Sequence, residues 1–207
     1  TAGYAAGMSD KDIESYMKNK KRYEGGWENS LIGGHTLGHY MSAVAQGIVN
    51  PGVTAEEKEK LTERLNYIID ALNDCQKKTE GVNGLEGYIF GATLPNSSFK
   101  KNVALQFDNV EKGRANIATE AWVPWYTMHK ILAGLVDSYQ IAGNKTAIEV
   151  ANKLGTWIAD RANNWSSSTQ STVLGIEYGG MNDALYQLYK VTDASNKEDF
   201  YKAAHQF

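Results

Sequence analysis

Three stretches of this 207-residue chain place aromatic rings directly beside histidine, glutamate or asparagine. They read GGWENSLIGGHTLGHY from residue 25, EAWVPWYTMHK from residue 120 and GIEYGGMND from residue 175. Sugars bind on flat aromatic faces with a few placed hydrogen-bond donors and acceptors, which is the composition of these stretches. The three stretches therefore predict a cleft that suits a carbohydrate.

The aromatic residues of the second stretch have a packing alternative. Trp125 and Tyr126 suit contact with a ligand or packing in the centre of the fold equally well, because aromatic rings dominate protein cores too. Trp122 fits the core better. The sequence therefore leaves Trp125 and Tyr126 open between these two alternatives.

The first stretch contains a histidine pair. His35 and His39 are four residues apart, so both face one way on a helix, which is a metal-ligand spacing. No glutamate follows His35 as in the zinc-peptidase motif, and no third ligand is evident, so no metal is expected here. His39 either contributes to the cleft or packs in the centre. Glu28, in the preceding glycine-rich loop, either accepts hydrogen bonds or is solvated.

The elements that must position these residues are helical. Apolar residues recur with helical periodicity along nearly the whole chain, and no run of strict alternation predicts a sheet, so the fold class is all-α. Thr54 and Glu57 form a capping box, and Pro51 and Gly52 break the helix before it. The predicted helices span residues 9–23, 36–49, 54–78, 122–142, 145–162 and 180–191, and a seventh begins near Asn196.

The segment between the third and fourth predicted helices, residues 79–119, contains four glycines up to residue 91, then Pro95, and little periodicity. It is predicted to be a long loop over the cleft face, with at most a short extended piece around EGYIF. Loops of this length in compact domains are often functional.

The helices fall into pairs. Those beginning near residues 36, 122 and 180 are apolar almost all round, whereas those beginning near 54 and 145 have one clean polar face. This pattern predicts three hairpins, each with an inner and an outer helix. Such hairpins must stack on neighbours, and their irregular spacing favours a toroid whose loops line a cleft over a regular solenoid.

Composition and charge exclude several classes of protein. The net charge is -3 with scattered Lys and Arg, so no nucleic-acid partner is predicted, and no apolar run is long enough for a membrane span. The single cysteine, Cys75, continues the apolar stripe of Leu61, Leu65, Ile68 and Leu72, so it is predicted to lie in the core. It allows no internal disulfide and no cysteine metal cluster.

The segments GGWENSLIGGHTLGHYMSA, WVPWYTMHKILAGL and EYGGMNDAL resemble the N-terminal half of the β-L-arabinofuranosidase glycoside hydrolases, families 127 and 146, in particular the secreted bacterial branch of family 146. The resemblance covers nearly the whole chain from about Tyr23. It implies that residues 1–207 are part of an (α/α)6 toroid, about half of it, without a second domain. It also implies a retaining exo-hydrolase that acts on arabinofuranosyl groups of plant glycans outside the cell.

The resemblance also implies site residues. His129 is placed at the cleft as a contact for a sugar hydroxyl, and Glu177 and Asn182 begin the third inner helix, where Gly179 and Gly180 let the backbone approach a ligand. The expected substrate-binding residues, all five of which lie in the three stretches above, are His39, Trp125, His129, Glu177 and Asn182.

Family members use a cysteine nucleophile on a zinc site of one Glu and three Cys, with a separate Glu as acid/base. Residues 1–207 lack the three-cysteine set, so the catalytic residues and the zinc are expected beyond Phe207, and no metal or other cofactor is expected within this chain.

Two other functions stay open on the sequence alone, a noncatalytic helical-repeat module that binds a partner on its concave face and another α/α-toroid carbohydrate enzyme. Half of a toroid would also leave the flanks of its first and last hairpins uncovered, so the chain is expected to self-associate.

Overall fold

The structure is a computed structural model that describes Lys11, Glu28 and residues 30–92 and 102–207. Over these residues it contains α-helices and no strand, which confirms the predicted all-α class. The predicted helix over 9–23 lies almost wholly outside the described residues. The helices are α1 (His35–Val49), α2 (Ala55–Lys77), α3 (Leu105–Glu111), α4 (Pro124–Gln140), α5 (Lys145–Ala162), α6 (Ser167–Ile176), α7 (Met181–Val191) and α8 (Lys197–Ala204).

Three helical hairpins form two layers. α1 packs on α2, α4 on α5 and α7 on α8. Within the inner layer α4 lies between α1 and α7, and within the outer layer α5 contacts both α2 and α8. The predicted pairing of inner with outer helices is therefore confirmed.

Burial distinguishes the central inner helix from the others. α4 buries residues on most of its circumference, because neighbours cover it on two sides and α5 covers it from outside. α1 and α7 each bury one side, since each has an inner-layer neighbour on one side only within the described ranges. No helix of these ranges is long and apolar enough to cross a membrane.

The outer helices begin where local capping chemistry predicts. The side chain of Thr54 accepts the N–H of Glu57 at 3.3 Å, and the Glu57 carboxylate accepts the N–H of Thr54 at 2.9 Å, so the predicted capping box is present. Asn144 caps α5 by accepting the N–H of Ala147. The bounds predicted for α5 match those observed.

Residues 79–119, predicted to be a long loop, also contribute a short helix and several buried side chains, which the sequence analysis did not predict. Their described part contains the short helix α3 and no strand at EGYIF, and the side chains of Tyr88, Phe90 and Phe107 are buried. The ring of Phe107 lies 4.7 Å from that of Trp125 and 5.2 Å from that of Trp157. Side chains of the predicted loop therefore take part in an aromatic core.

This segment lies where the inner helices begin. The Gln106 amide of α3 donates to the carbonyl of Leu31, before α1, and accepts the N–H of Trp122, before α4. Arg161, in the last turn of α5, binds Asp108 and Glu111 and so holds α3 on the outer layer. The segment thereby ties the starts of two inner helices to the end of an outer one.

Cys75 is exposed, so its predicted place in the core was wrong. The buried stripe of α2 is Leu65, Ile69, Leu72 and Gln76, because the 3.6-residue period turns the helix face past Cys75 to Gln76. The Gln76 amide donates to the carbonyls of Gly87 at 2.8 Å and Val150 at 3.1 Å. Gln76, a polar side chain with two backbone partners, therefore occupies the place in the core that was predicted for Cys75.

α1 and α4 are in backbone contact where they cross. A Cβ added at Gly38 would lie 2.0 Å from the carbonyl oxygen of Lys130, and one added at Gly134 would lie 2.6 Å from the carbonyl oxygen of Gly38. Only glycine permits this approach. The crossing fixes how the first turns of the two helices face each other.

Candidate active site

The first turns of α1 and α4 bring four rings together. His35 and His39 lie one turn apart on α1, with ring centroids 5.1 Å apart, and Tyr126 and His129 are neighbours on α4, with centroids 5.0 Å apart. The ring of Tyr126 stacks on that of His35 at 5.5 Å and joins the two pairs. We call these four residues the ring cluster.

A cation borders the ring cluster. The Nζ of Lys130 lies 4.7 Å from the ring centroid of Tyr126, within the range of a cation–π interaction. Lys130 and Tyr126 are four residues apart, so they share one helix face. The sequence analysis missed Lys130, although its spacing from Tyr126 was visible.

His129 is buried and electrically neutral at pH 7. It is 7% exposed, and burial, together with the charge of Lys130, lowers its pKa to about 4, against a smaller opposing effect of the Tyr126 backbone. Its Nδ1 is buried and has no hydrogen-bond partner among the described residues. Neutral imidazole offers one donor and one acceptor, which suits a hydroxyl group.

His39 lies on the open side of the ring cluster. It is exposed, so the packing alternative does not apply to it, and partial desolvation with the charges of Lys130 and His35 lowers its pKa. The structure therefore places His39 and His129 in one ring cluster, and their role in a substrate cleft stays a prediction.

Glu177 contacts the first turn of α4 from the segment before α7. It is 6% exposed, and its Oε2 accepts the N–H of Tyr126 at 2.9 Å. Burial raises the pKa of Glu177 to about 7, although hydrogen bonds from the backbone of Tyr126 and Trp125 oppose the rise. Its Oε1 is buried without a hydrogen-bond partner in the described part of the chain.

Glu28 serves the start of α1. Its two carboxylate oxygens accept the N–H of Gly34 at 2.6 Å and the N–H of Thr36 at 2.7 Å. Partial burial raises the pKa of Glu28, but hydrogen bonds from Thr36 and Gly34 outweigh it and leave the pKa below its ordinary value. Of the two alternatives left by the sequence, Glu28 is therefore the acceptor.

Trp125 points away from the cleft. It is 1% exposed, and its ring lies 5.4 Å from that of Trp165 and 5.1 Å from that of Phe207. In this structure it takes the packing alternative, and no ligand can reach its ring without a rearrangement. Tyr126 is half-buried and keeps one aromatic ring at the cleft, whereas Trp122, expected in the core, is also only half-buried.

Asn182 lies in the first turn of α7, and its Oδ1 accepts the N–H of Asp183 at 2.8 Å. The neighbouring Gly180, with φ 79°, approaches His129 so closely that an added Cβ would lie 2.5 Å from the imidazole ring. The glycine pair was predicted to let the backbone approach a ligand. In the structure, Gly180 instead lets the backbone approach the side chain of His129.

The described residues contain no group of three or more His, Cys, Asp and Glu side chains that could hold a metal ion. The ring cluster contains three histidines and no cysteine, so it does not fit the zinc set of one Glu and three Cys. No chemical step through zinc is derived from this chain.

Comparison with known proteins agrees with the geometry. Residues 8–207 match the family model described as β-L-arabinofuranosidase, GH127 catalytic domain. No curated protein matches the chain. The narrower assignment to the family 146 branch stays a prediction. With a match over nearly its whole length, the chain belongs to the GH127 β-L-arabinofuranosidase catalytic-domain family and is a glycoside hydrolase by that membership.

Proposed function

We propose that the cleft at the ring cluster binds the arabinofuranosyl group of a β-L-arabinofuranoside, and that the protein hydrolyses such groups in plant-derived glycans with retention of configuration. The observation that carries the proposal is the pairing of buried, neutral His129 with the half-exposed ring of Tyr126 in a chain of this family. A furanose presents hydroxyl groups around an apolar face, and this pair offers a partner for each.

Different residues of the cleft are proposed to bind different parts of the sugar. His129 and the exposed His39 are placed to exchange hydrogen bonds with hydroxyl groups, and Tyr126 provides a ring for the apolar face. Lys130 adds a positive charge beside the tyrosine, which favours partially negative hydroxyl or ring oxygens.

The reacting groups are proposed to come from outside residues 1–207. Retaining hydrolysis needs a nucleophile and an acid/base about 5 Å apart. Cys75, the single cysteine, is exposed on the outer helix α2, away from the ring cluster, so it does not serve as the nucleophile. Glu177 contacts the first turn of α4, and its Oε2 accepts the N–H of Tyr126. This chain therefore supplies substrate positioning.

The test is release of 4-nitrophenol from its β-L-arabinofuranoside. We expect none from residues 1–207, and in a longer protein that includes the nucleophile we expect His129→Ala to lower turnover by about 10²-fold through lost positioning. His205→Ala, at an exposed histidine of the third hairpin, is the matched control. Turnover by residues 1–207 that persists without Cys75 would contradict the assignment of the reacting groups, and a longer protein indifferent to His129→Ala would contradict the role of His129.

We also propose that the protein acts outside the cell, as the resemblance implies, and that the chain self-associates. Tyr40 is 39% exposed and Tyr67 is 77% exposed beside a hollow of about 370 Å³ on the first hairpin. An apolar surface of this kind favours contact with another copy of the chain.

A further inference from the structure

In the first two hairpins, the inner and outer helices are capped in different ways. The outer helices α2 and α5 begin with local caps, since the side chains of Thr54 and Asn144 each accept a backbone N–H three residues on. The inner helices α1 and α4 begin at Gly34 and Val123, which make no side-chain cap. The inner helices therefore need acceptors from elsewhere for their first N–H groups.

Glutamates from outside the two helices provide these acceptors. Glu28 accepts two N–H groups at the start of α1, and Glu177 accepts the N–H of Tyr126, in the first turn of α4, from 51 residues further along the chain. Both helices begin with positive φ, 101° at Gly34 and 40° at Val123. A β-branched residue rarely adopts this backbone conformation, so the turn before α4 needs an external constraint.

The segment around Glu177 contacts α4 at two neighbouring places. The carboxyl of Glu177 binds the N–H of Tyr126, and Gly180 packs its backbone against the ring of His129, three residues further on. Gly179 and Gly180 both have positive φ, which lets the chain run from one contact to the other. One short segment, residues 177–180, thus contacts both the backbone at the start of α4 and the imidazole ring of His129.

We propose that Glu177 is a positioning residue, whose carboxyl replaces the missing local cap of α4 and thereby fixes the ring of His129 in the cleft. This is a different role from the direct contact with a sugar that the sequence predicted for Glu177. Glu28 holds the first turn of α1, with His35 and His39, in the same way. The benefit to substrate binding rests on the proposed function, whereas the effect on His129 does not.

The experiment is a pH titration of ¹⁵N-labelled histidine signals in the free protein, followed by titration with methyl β-L-arabinofuranoside. Glu177→Ala removes the acceptor, so the turn loosens and water reaches His129. We expect its titration midpoint to rise by about one pH unit or more, and binding to weaken about tenfold. Glu177→Gln keeps an oxygen acceptor and should restore both. Glu149→Ala, at an exposed position of α5, is the matched control.

If Glu177→Ala does not fold, Glu177→Asp, which withdraws the acceptor by one methylene group, should move the His129 midpoint in the same direction. An unchanged midpoint in a folded Ala or Asp variant would overturn the inference. So would a Gln variant that loses binding while the free-state His129 titration stays unchanged, since Glu177 would then be a direct sugar ligand. If no variant binds the arabinoside, the proposed function fails, and the His129 titration still decides the role of Glu177.

Discussion

The buried side chains of His129 and Glu177 make the free energy of unfolding depend on pH in opposite directions. Glu177 keeps its proton in the folded state up to about pH 7, whereas in the unfolded chain it releases the proton near its ordinary pKa of 4.5. Its contribution to the free energy of unfolding therefore falls as pH rises from 4.5 to 7. His129 stays neutral in the folded state down to about pH 4, but the unfolded chain protonates it below 6.5, so its contribution rises with pH from 4 to 6.5.

The two contributions oppose each other between about pH 4.5 and 6.5. In that window the pair holds one proton in both states, on Glu177 when folded and on His129 when unfolded. Each shift of about 2.5 pH units corresponds to about 3 kcal/mol at 1.4 kcal/mol per unit. In the wild type, the two residues together should leave the free energy of unfolding almost independent of pH in this window. Each residue alone would give it a steep pH dependence.

Substituting one of the two residues should expose the pH dependence that the other gives to the free energy of unfolding. The free energy of unfolding of Glu177→Gln, measured relative to wild type, should increase by up to about 3 kcal/mol between pH 4.5 and 8, because the amide avoids burying a charge. That of His129→Gln, relative to wild type, should decrease by a similar amount between pH 4 and 6.5.

The assay is urea unfolding followed by tryptophan fluorescence at half-unit pH steps, with Glu149→Gln at an exposed site as the matched control. Curves for both buried-site variants that run parallel to wild type at every pH would refute the reasoning.

Three further outcomes are expected. Gly38→Ala should destabilise the fold by about 3 kcal/mol in urea unfolding, because its Cβ would meet the backbone of Lys130, whereas Gly175→Ala, with open space around a helical glycine, should be within about 1 kcal/mol of wild type. Cys75 should react with a thiol reagent in the folded protein as fast as in urea, and protection of that thiol would contradict its exposed position on α2. The chain should sediment as a dimer or larger species and Tyr67→Lys should shift it toward monomer, so a monomer at high concentration would argue against the uncovered flank.

The sequence predicted those helices whose signals are local. The bounds of α5 follow from an apolar stripe and the cap at Asn144, and the start of α2 follows from the capping box at Thr54. α6 was missed because it buries only Val173 and so has no apolar stripe, although Ser166 caps it by accepting the N–H of Thr169. α3 was missed because its seven residues are held by contacts with distant segments.

The site was predicted in composition but not in arrangement. His39 and His129 belong to one ring cluster because the starts of α1 and α4 lie side by side, which the hairpin pattern indicated, and their role in a cleft stays a prediction. The inward direction of Trp125 depends on partners such as Phe207, which no local pattern reveals. The cap that Glu177 provides joins residues 51 positions apart, so spacing could not predict it.

The central claim is that the ring cluster binds an arabinofuranosyl group, and a nuclear magnetic resonance titration of the chain with methyl β-L-arabinofuranoside tests it most directly. The account predicts saturable shifts of the ring signals of His39, Tyr126 and His129, with His205 on the third hairpin unaffected. Saturable shifts centred on His205, or no saturable shift at the ring cluster up to the solubility of the sugar, would contradict the account.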